Sequence, residues 1–126
     1  RLKVICIDTN IIIYVSKGDL EPEIFASNIV AYSSVAKIEA LGFSRSTMGE
    51  QQYLKIFFQE YKHLAVTEAV IQRSIDIRIG NKIDLADAII AATALENDCV
   101  LWTANTDDFK DIDGLKLHNP LEEGSK

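Results

Sequence analysis

Short apolar runs alternate with longer segments of helical spacing along the chain. Residues 3–7 are β-branched and almost wholly apolar, as expected for a strand covered on both faces of a parallel sheet. Similar short runs occur at 64–66, 99–102 and 115–117, and helical spacing occurs at 10–16, 35–42, 47–62, 68–80 and 85–97. Strands that alternate with helices predict an α/β domain with a parallel sheet, right-handed crossovers and the first strand near its centre.

Residues that begin and end helices fit this division. Thr67 and Asp84 are placed to cap the two helices that follow them, and Gly80 is placed to end the first of these. Residues 86–95, with the sequence ADAIIAATAL, are apolar nearly all round and rich in alanine. This pattern predicts a buried helix whose small side chains allow it to lie close to the sheet.

The chain has 126 residues, of which 48% are hydrophobic and 25% charged. These values predict one globular domain with a real core and exclude a disordered or collagen-like chain. We assign the domain to residues 1–120 and a polar tail to residues 121–126. Because the apolar runs fall short of the ~20 residues that span a bilayer, and no apolar leader follows the first residues, we expect a cytoplasmic protein without a membrane segment.

Cysteine content and charge narrow the classes of function. Cys6 and Cys99 lie in apolar stretches, which predicts buried free thiols rather than a disulfide. A zinc site would need more ligands than these cysteines, His63 and His118 supply. The net charge of −6 disfavours a broad electrostatic surface for nucleic acid, but it allows a protein that holds phosphates through a metal ion.

Asp8 and Glu39 are the first two candidates for chemistry. Asp8 ends the first predicted strand, at the edge where open α/β sheets bind ligands. The alternative is that Asp8 or one of the next two residues only caps the following helix. Glu39 falls within an apolar stripe formed with Val35, Ile38 and Gly42, so we expect it on the inward face, where an unpaired charge is costly. A solvated glutamate is the alternative.

Further acidic residues lie at the start of the alanine-rich helix and after a late strand. Asp84 and Asp87 are three residues apart and share one face of a first helical turn, where either one also suits the helix dipole. Asp87 interrupts an otherwise apolar segment, which favours a functional role. The loop after the strand at 99–102 carries four polar residues, namely Thr103, Asn105, Asp107 and Asp108.

Asp8, Asp87 and Asp108 are predicted to meet at one rim of the sheet, with Glu39 arriving from a neighbouring helix. Two unit charges ~4 Å apart repel by about 4 kcal/mol at an effective dielectric constant near 20. Such a cluster therefore takes up protons or binds a cation, and an all-oxygen set suits Mg²⁺ or Mn²⁺. Hard cations held by carboxylates are used in phosphodiester hydrolysis.

Three motifs carry a family resemblance: VICIDTN at 4–10 together with the helical Glu39, DLADAIIAATAL at 84–95, and TANTDDF at 103–109. In this order, and over residues 4–120, the chain resembles the PIN-domain ribonucleases, and more narrowly the VapC-type toxins of bacterial and archaeal toxin–antitoxin pairs. The resemblance implies a three-layer α/β/α domain with a central, mostly parallel sheet. It implies an Mg²⁺-dependent endoribonuclease, in which Mn²⁺ substitutes, that is neutralised by a cognate antitoxin.

Residue roles follow from the same resemblance. The metal ligands it implies are Asp8, Glu39, Asp87 and Asp108, with Thr103, Asn105 and Asp84 nearby and Asn10 orienting Asp8. Asp107 leaves open which acid of the pair points inward, and the spacing before Phe109 favours Asp108. Candidates for contacts with flanking phosphates are Arg45, Arg78 and Lys82, although each also suits a solvated surface.

Two other functions compete with the nuclease. A non-catalytic binding module on the same fold would have lost the metal site, which the intact set of carboxylates disfavours. A receiver-like Mg²⁺-binding signalling domain needs a phosphoacceptor Asp at the end of a middle strand and a Lys after a late one. Instead, Thr67 follows the run at 64–66 and Thr103 follows the strand at 99–102.

The helix predicted at 47–62 suggests a protein partner. Its aromatic residues Tyr53, Phe57 and Tyr61 recur every four positions beside other apolar residues, giving a wide apolar arc. Core packing is the alternative. The resemblance adds that such toxins commonly dimerise and receive an antitoxin segment in a groove lined by their early helices. We therefore predict a homodimer, with part of the arc exposed in the monomer and covered by the second subunit or the antitoxin.

Overall fold

The computed structural model describes residues 2–125. Arg1 and Lys126, the first residue of the predicted domain and the last of the predicted tail, lie outside the described residues. The strands are β1 (Lys3–Ile7), β2 (Asn28–Ser33), β3 (Lys62–Leu64), β4 (Val100–Trp102) and β5 (Leu117–His118). The helices are α1 (Thr9–Ser16), α2 (Ser34–Leu41), α3 (Met48–Glu60), α4 (Glu68–Gly80) and α5 (Leu85–Glu96). Short 3₁₀ segments lie at Pro22–Phe25, Thr106–Asp108 and Pro120–Ser125.

The five strands form one sheet in the order β3-β2-β1-β4-β5, and all four pairings are parallel. β1 lies at the centre, as the sequence predicts. Its register sets Cys6 opposite Ala31 of β2 and Leu101 of β4. Since parallel strands end at one edge, the residues that follow β1, β2 and β4 are brought to the same rim of the sheet.

Alternation along the strands divides the interior into two cores. Ile5, Ile7 and Tyr32 face the aromatic-rich core beneath α1, α2 and α3. Cys6 and Ala31 face the opposite core beneath α4 and α5. Successive side chains of a strand point to opposite faces, so both faces of the central strands are covered. The arrangement confirms the predicted α/β fold with a helical layer on each side of the sheet.

The alanine-rich α5 fits the prediction closely. Ala88, Ala91, Ala92 and Ala94 are all buried. Small side chains at these positions allow the helix to lie close to the sheet. Both cysteines are buried free thiols, as expected. No helix within residues 2–125 has the length and apolar character needed to cross a bilayer.

The main difference from the sequence-based prediction is β2, which the apolar pattern did not reveal. Ser33 ends this strand and caps α2, because its hydroxyl accepts a hydrogen bond from the backbone of Ala36. No loop separates the strand from the helix, so the short apolar run at 29–32 leads through only two serines into the helix. The third strand also begins earlier than predicted, since Tyr61 is already extended and ends α3 before Lys62.

Candidate metal and phosphodiester site

Asp8 is the buried anchor of the site, with only 5% of its surface exposed. Its backbone N–H donates to Trp102 O at 2.9 Å, which ties the end of β1 to the end of β4. One carboxylate oxygen, Oδ1, accepts from the N–H of Thr9 at 2.8 Å, and the other, Oδ2, accepts from the hydroxyl of Thr103 at 2.8 Å. The same residue therefore caps α1 and is held at the rim of the sheet, so the capping role and the functional role are compatible.

Thr103 connects Asp8 to the loop that follows β4. Its hydroxyl donates to Asp8 and accepts from the N–H of Asn105 at 3.0 Å. Thr103 itself is completely buried. A buried carboxylate held by two donors has a defined position, which is required of a residue that binds a ligand repeatedly in one geometry.

Glu39 reaches the site for a different reason from the predicted one. The predicted inward stripe is wrong, because Ile38 is 70% exposed and α2 buries Ala36 and Ala40 instead. Glu39 is exposed, and its Oε1 accepts a hydrogen bond of 2.6 Å from the hydroxyl of Thr9. The helix buries its alanine face against the sheet, so the glutamate lies at the rim.

Two clefts open at this rim and share two acids. The acidic cleft, of about 560 Å³, is lined by Asp8, Thr9, Asn10, Ile13, Glu39, Gly42, Phe43, Ser44, Asp87, Asn105 and Asp108. The mixed cleft, of about 640 Å³, is lined by Arg78, Asn81, Lys82, Ile83, Asp84, Asp87, Asp107, Asp108, Asp111 and Ile112. Asp87 and Asp108 line both clefts, so a ligand that passes these two residues can occupy both.

The acids affect one another electrostatically. Burial, followed by the charges of Asp8 and Asp108, raises the pKa of Asp87 to about 6. Burial also raises the pKa of Asp8, although the hydrogen bonds from Thr103 and Thr9 oppose this rise. Like charges in one low-dielectric site disfavour joint ionisation, and a bound cation would remove that cost.

The donor set fits a hard divalent cation by its chemistry, since it consists of carboxylate oxygens with hydroxyl and amide oxygens nearby. The side chains have not closed into a coordination sphere. Among residues 2–125, no group of three or more His, Cys, Asp or Glu side chains lies close enough together to hold one ion. The buried Asp8 is fixed, whereas Glu39 and Asp108 are exposed. Closure around an ion would therefore fall to the exposed acids.

The other predicted site residues are distributed around the two clefts. Asn10 and Asn105 are exposed on the wall of the acidic cleft, and Asp84 lies at the N-terminus of α5 without a side-chain capping bond. Arg78 and Lys82 line the mixed cleft, whereas Arg45 lines neither. The role predicted for Asn10 in orienting Asp8 stays a prediction, because the donors to that carboxylate are Thr9 and Thr103.

Asp108 shares the acidic cleft with Asp8 and Glu39, whereas Asp107 lines only the mixed cleft. Asp108 lines both clefts and contributes to the raised pKa of Asp87. The Asp107 side chain is 93% exposed and lies 3.9 Å from Lys110 Nζ. Both acids belong to the 3₁₀ segment Thr106–Asp108.

Several cleft residues were missed by the sequence-based prediction, among them Thr9 and Phe43. Thr9 was considered only as a helix cap, yet it contacts both Asp8 and Glu39. The polar triplet at 8–10 after a buried strand was the available signal. Phe43 also lines the acidic cleft, and nothing in the sequence distinguishes it from an apolar loop residue.

The fold and site together define a parallel α/β protein with an acid-lined cleft at the carboxyl edge of its sheet. The sequence profile of the PIN domain matches residues 5–115, so the chain belongs to the PIN-domain family. This membership displaces the receiver-like alternative. No curated protein matches the sequence significantly.

Solved structures of toxin–antitoxin complexes contain similar chains. One is VapBC2 from Rickettsia felis bound to a DNA fragment from its promoter, with 25% identity, a TM-score of 0.80, and coverage of 92% of this chain and 98% of that one. Another is VapBC-1 from nontypeable Haemophilus influenzae, with 25% identity, a TM-score of 0.75, and coverage of 94% and 98%. A third is a toxin–antitoxin complex from Klebsiella pneumoniae, with 25% identity, a TM-score of 0.73, and coverage of 92% and 97%. These matches confirm the predicted resemblance to VapC-type PIN toxins.

Proposed function

We propose that the protein is an Mg²⁺-dependent endoribonuclease that hydrolyses RNA phosphodiester bonds, with Mn²⁺ able to substitute. The observation that carries this proposal is that Asp8, Glu39, Asp87 and Asp108 line one cleft in a chain of the PIN-domain family. A bound divalent cation would supply the charge neutralisation and water activation that this hydrolysis requires. The four carboxylates would hold it.

The chain's own residues have separable parts in the reaction. Asp8 is positioned by Thr9 and Thr103, so it sets the inner end of the cleft. Burial and the charges of Asp8 and Asp108 raise the pKa of Asp87 to about 6 without metal, so the ionised Asp87 carboxylate would be stabilised by a bound cation. Arg78 and Lys82 line the adjoining cleft, where they would contact flanking phosphates.

The test compares Asp87→Asn with Asp98→Asn in an RNA cleavage assay with and without Mg²⁺. Asp98 lies just beyond the other end of α5 and has a φ of 53°, a conformation that Asn adopts readily. Both variants lose one negative charge. Cleavage that survives Asp87→Asn, or that does not depend on a divalent ion, would contradict the proposal. Absence of Mg²⁺ binding in calorimetry would favour the non-catalytic binding module.

We further propose that the protein acts in the cytoplasm as the toxin of a toxin–antitoxin pair. The similar chains occur in toxin–antitoxin complexes, which supports an antitoxin as partner. The test is expression in a bacterial host with and without the product of a neighbouring small reading frame. Growth arrest that requires Asp87, and that this product relieves, is the expected result.

A homodimer is the remaining part of the proposal. The predicted arc on α3 is only partly available, because Phe57 is buried, whereas Tyr53 and Ile56 are 37% and 58% exposed. Sedimentation of Ile56→Asp tests whether this surface is covered by a second subunit. The matched control is Ile75→Asp on α4, where the native side chain is 47% exposed. Only monomer in the wild-type protein at high micromolar concentration would contradict the homodimer.

A further inference from the structure

Phe43, in the segment between α2 and α3, is the aromatic residue of the acidic cleft. Its side chain is 38% exposed and belongs to neither of the two cores. A single exposed apolar side chain is ordinary on a protein surface. This ring, however, lies among the carboxylates of the candidate site, where it could contact a ligand.

The turn that carries Phe43 is ordered by its own hydrogen bonds. The N–H of Phe43 donates to Ala40 O, and its carbonyl accepts from both the N–H and the hydroxyl of Ser46. A Cβ at the preceding Gly42 would lie 2.7 Å from Ile38 O, so the turn approaches α2 too closely for a larger residue. Because the turn is already fixed, a ligand that uses the ring incurs little cost of ordering it.

A lysine lies over one face of the Phe43 ring. Lys17 Nζ lies 5.9 Å from the centroid of the Phe43 ring and 3.2 Å from Glu50 Oε2. The lysine at the end of α1 thus links the ring to the start of α3. The same residue lines the acidic cleft.

The charges of the two clefts differ, and they indicate which part of a nucleotide each would accept. Neither lysine nor arginine is found among the described residues that line the acidic cleft, whereas Arg78 and Lys82 line the mixed cleft. The nearby Lys17 is paired with Glu50, so its charge is already balanced. Beside four carboxylates, an additional phosphate at Phe43 would therefore be repelled, but a neutral base would not. Bases of any sequence stack on aromatic rings.

We propose that Phe43 is the stacking platform for an RNA base next to the reacting phosphodiester. The RNA strand would pass Asp87 and Asp108, which line both clefts. Its next phosphates would lie beside Arg78 and Lys82 in the mixed cleft. This inference rests on the proposed ribonuclease function. It also assigns how the RNA lies in the two clefts: a base is held on one side of the acids, and phosphates are held on the other side.

The first experiment detects stacking directly and needs no turnover. Phe43→Trp adds a second tryptophan to the buried Trp102, so the wild-type protein reports the background. The probes are a short single-stranded RNA of mixed sequence and an abasic strand of the same length, with Ca²⁺ in place of Mg²⁺ and the probe length checked afterwards. We expect RNA, but not the abasic strand, to quench the added fluorescence. Equal quenching by both strands, or none by RNA, overturns the inference.

The second experiment separates stacking from general stability. We expect Phe43→Leu to raise KM for RNA cleavage by about tenfold or more, in the range of a lost base–aromatic stack, with a smaller effect on kcat. Phe43→Tyr should keep the wild-type KM, and Ile75→Ala, which removes exposed apolar surface on α4 outside both clefts, should not change it. An unchanged KM in Phe43→Leu overturns the inference and leaves the ribonuclease proposal intact. Failure of the wild-type protein to cleave RNA overturns that proposal, while the quenching experiment still decides whether a base stacks on residue 43.

Discussion

The inner and outer halves of the acidic cleft are built by different means. On the inner side, Asp8 and Thr103 are 5% and 0% exposed, and both carboxylate oxygens of Asp8 accept hydrogen bonds from the protein. On the outer side, Glu39 and Asp108 are exposed. The inner half is therefore positioned by the fold, whereas the outer half retains the freedom to move toward a ligand.

This difference assigns distinct tasks to similar carboxylates. A buried and hydrogen-bonded acid provides a fixed reference point, which preorganisation requires. The free-energy cost of ionising an exposed carboxylate is lower than that of a buried one, because water solvates its charge. Since no compact ligand set exists among residues 2–125, the comparison predicts that cation binding orders the outer half around the inner one.

The largest effect is expected when the fixed acid itself is changed. Asp8→Asn keeps the size of the side chain and one acceptor oxygen but removes the charge and the second acceptor. We therefore expect loss of cleavage well beyond the about 10–100-fold typical of an outer-shell partner. Raising the Mg²⁺ concentration should not restore activity, because the inner reference point is gone. Cleavage rates across an Mg²⁺ titration measure both quantities. Recovery of Asp8→Asn at high Mg²⁺ would remove the distinction between the two halves.

A smaller effect is expected from the outer acids. Asp108→Asn should lower the affinity for Mg²⁺, with part of the activity restored as the ion concentration rises, since the remaining acids still attract the cation. Asp107→Asn is the matched control, because its native side chain is 93% exposed and paired with Lys110. Calorimetry with Mg²⁺ compares the two variants. Wild-type affinity for Mg²⁺ in Asp108→Asn would show that Asp108 does not bind the ion.

The inner half of the acidic cleft could be predicted from the sequence more reliably than the outer half. Asp8 was identifiable because a buried strand followed by an acid is a local pattern, and α5 was identifiable from its continuous apolar sequence. Glu39 was included for a wrong reason, since helical spacing cannot tell whether α2 buries its isoleucine face or its alanine face. That choice depends on how closely the helix lies against β2, a strand that the apolar pattern itself did not reveal.

Removal of the Thr103 hydroxyl, which donates to Asp8, is expected to lower activity less than Asp8→Asn does. Thr103→Val keeps the shape of the side chain but removes the donor to Asp8 Oδ2 and the acceptor for the N–H of Asn105. We expect a loss of about 10–100-fold in cleavage rate, and Thr103→Ser should retain most activity. The control is Thr93→Val, which removes an equally buried hydroxyl bonded to Ile89 O on α5. Equal losses in the two valine variants would indicate a general packing effect.

The smallest expected effect is that of Asp87 on the free energy of unfolding in the absence of metal. The pKa of Asp87 rises from an ordinary 3.8 to about 6 in the folded protein, so the folded state binds an extra proton between these values. The contribution of this group to stability is complete below about pH 4 and is lost as the pH rises through about 6. Because Asp87 is partly solvated, we expect the contribution to be on the order of 1 kcal/mol.

Thermal unfolding in chelator tests this expectation. Asp87→Asn should gain stability relative to the wild-type protein at pH 7.5 but not at pH 4, because the asparagine removes the ionisation that the cleft disfavours. Asp98→Asn, which removes the same charge beyond the other end of α5, should show no such pH-dependent gain. Saturating Mg²⁺ should reverse the order at pH 7.5, since the wild-type protein gains more from binding the cation than the variant does. If the Asp87→Asn difference stayed the same at both pH values in chelator, Asp87 would belong with the solvated outer acids and not with Asp8.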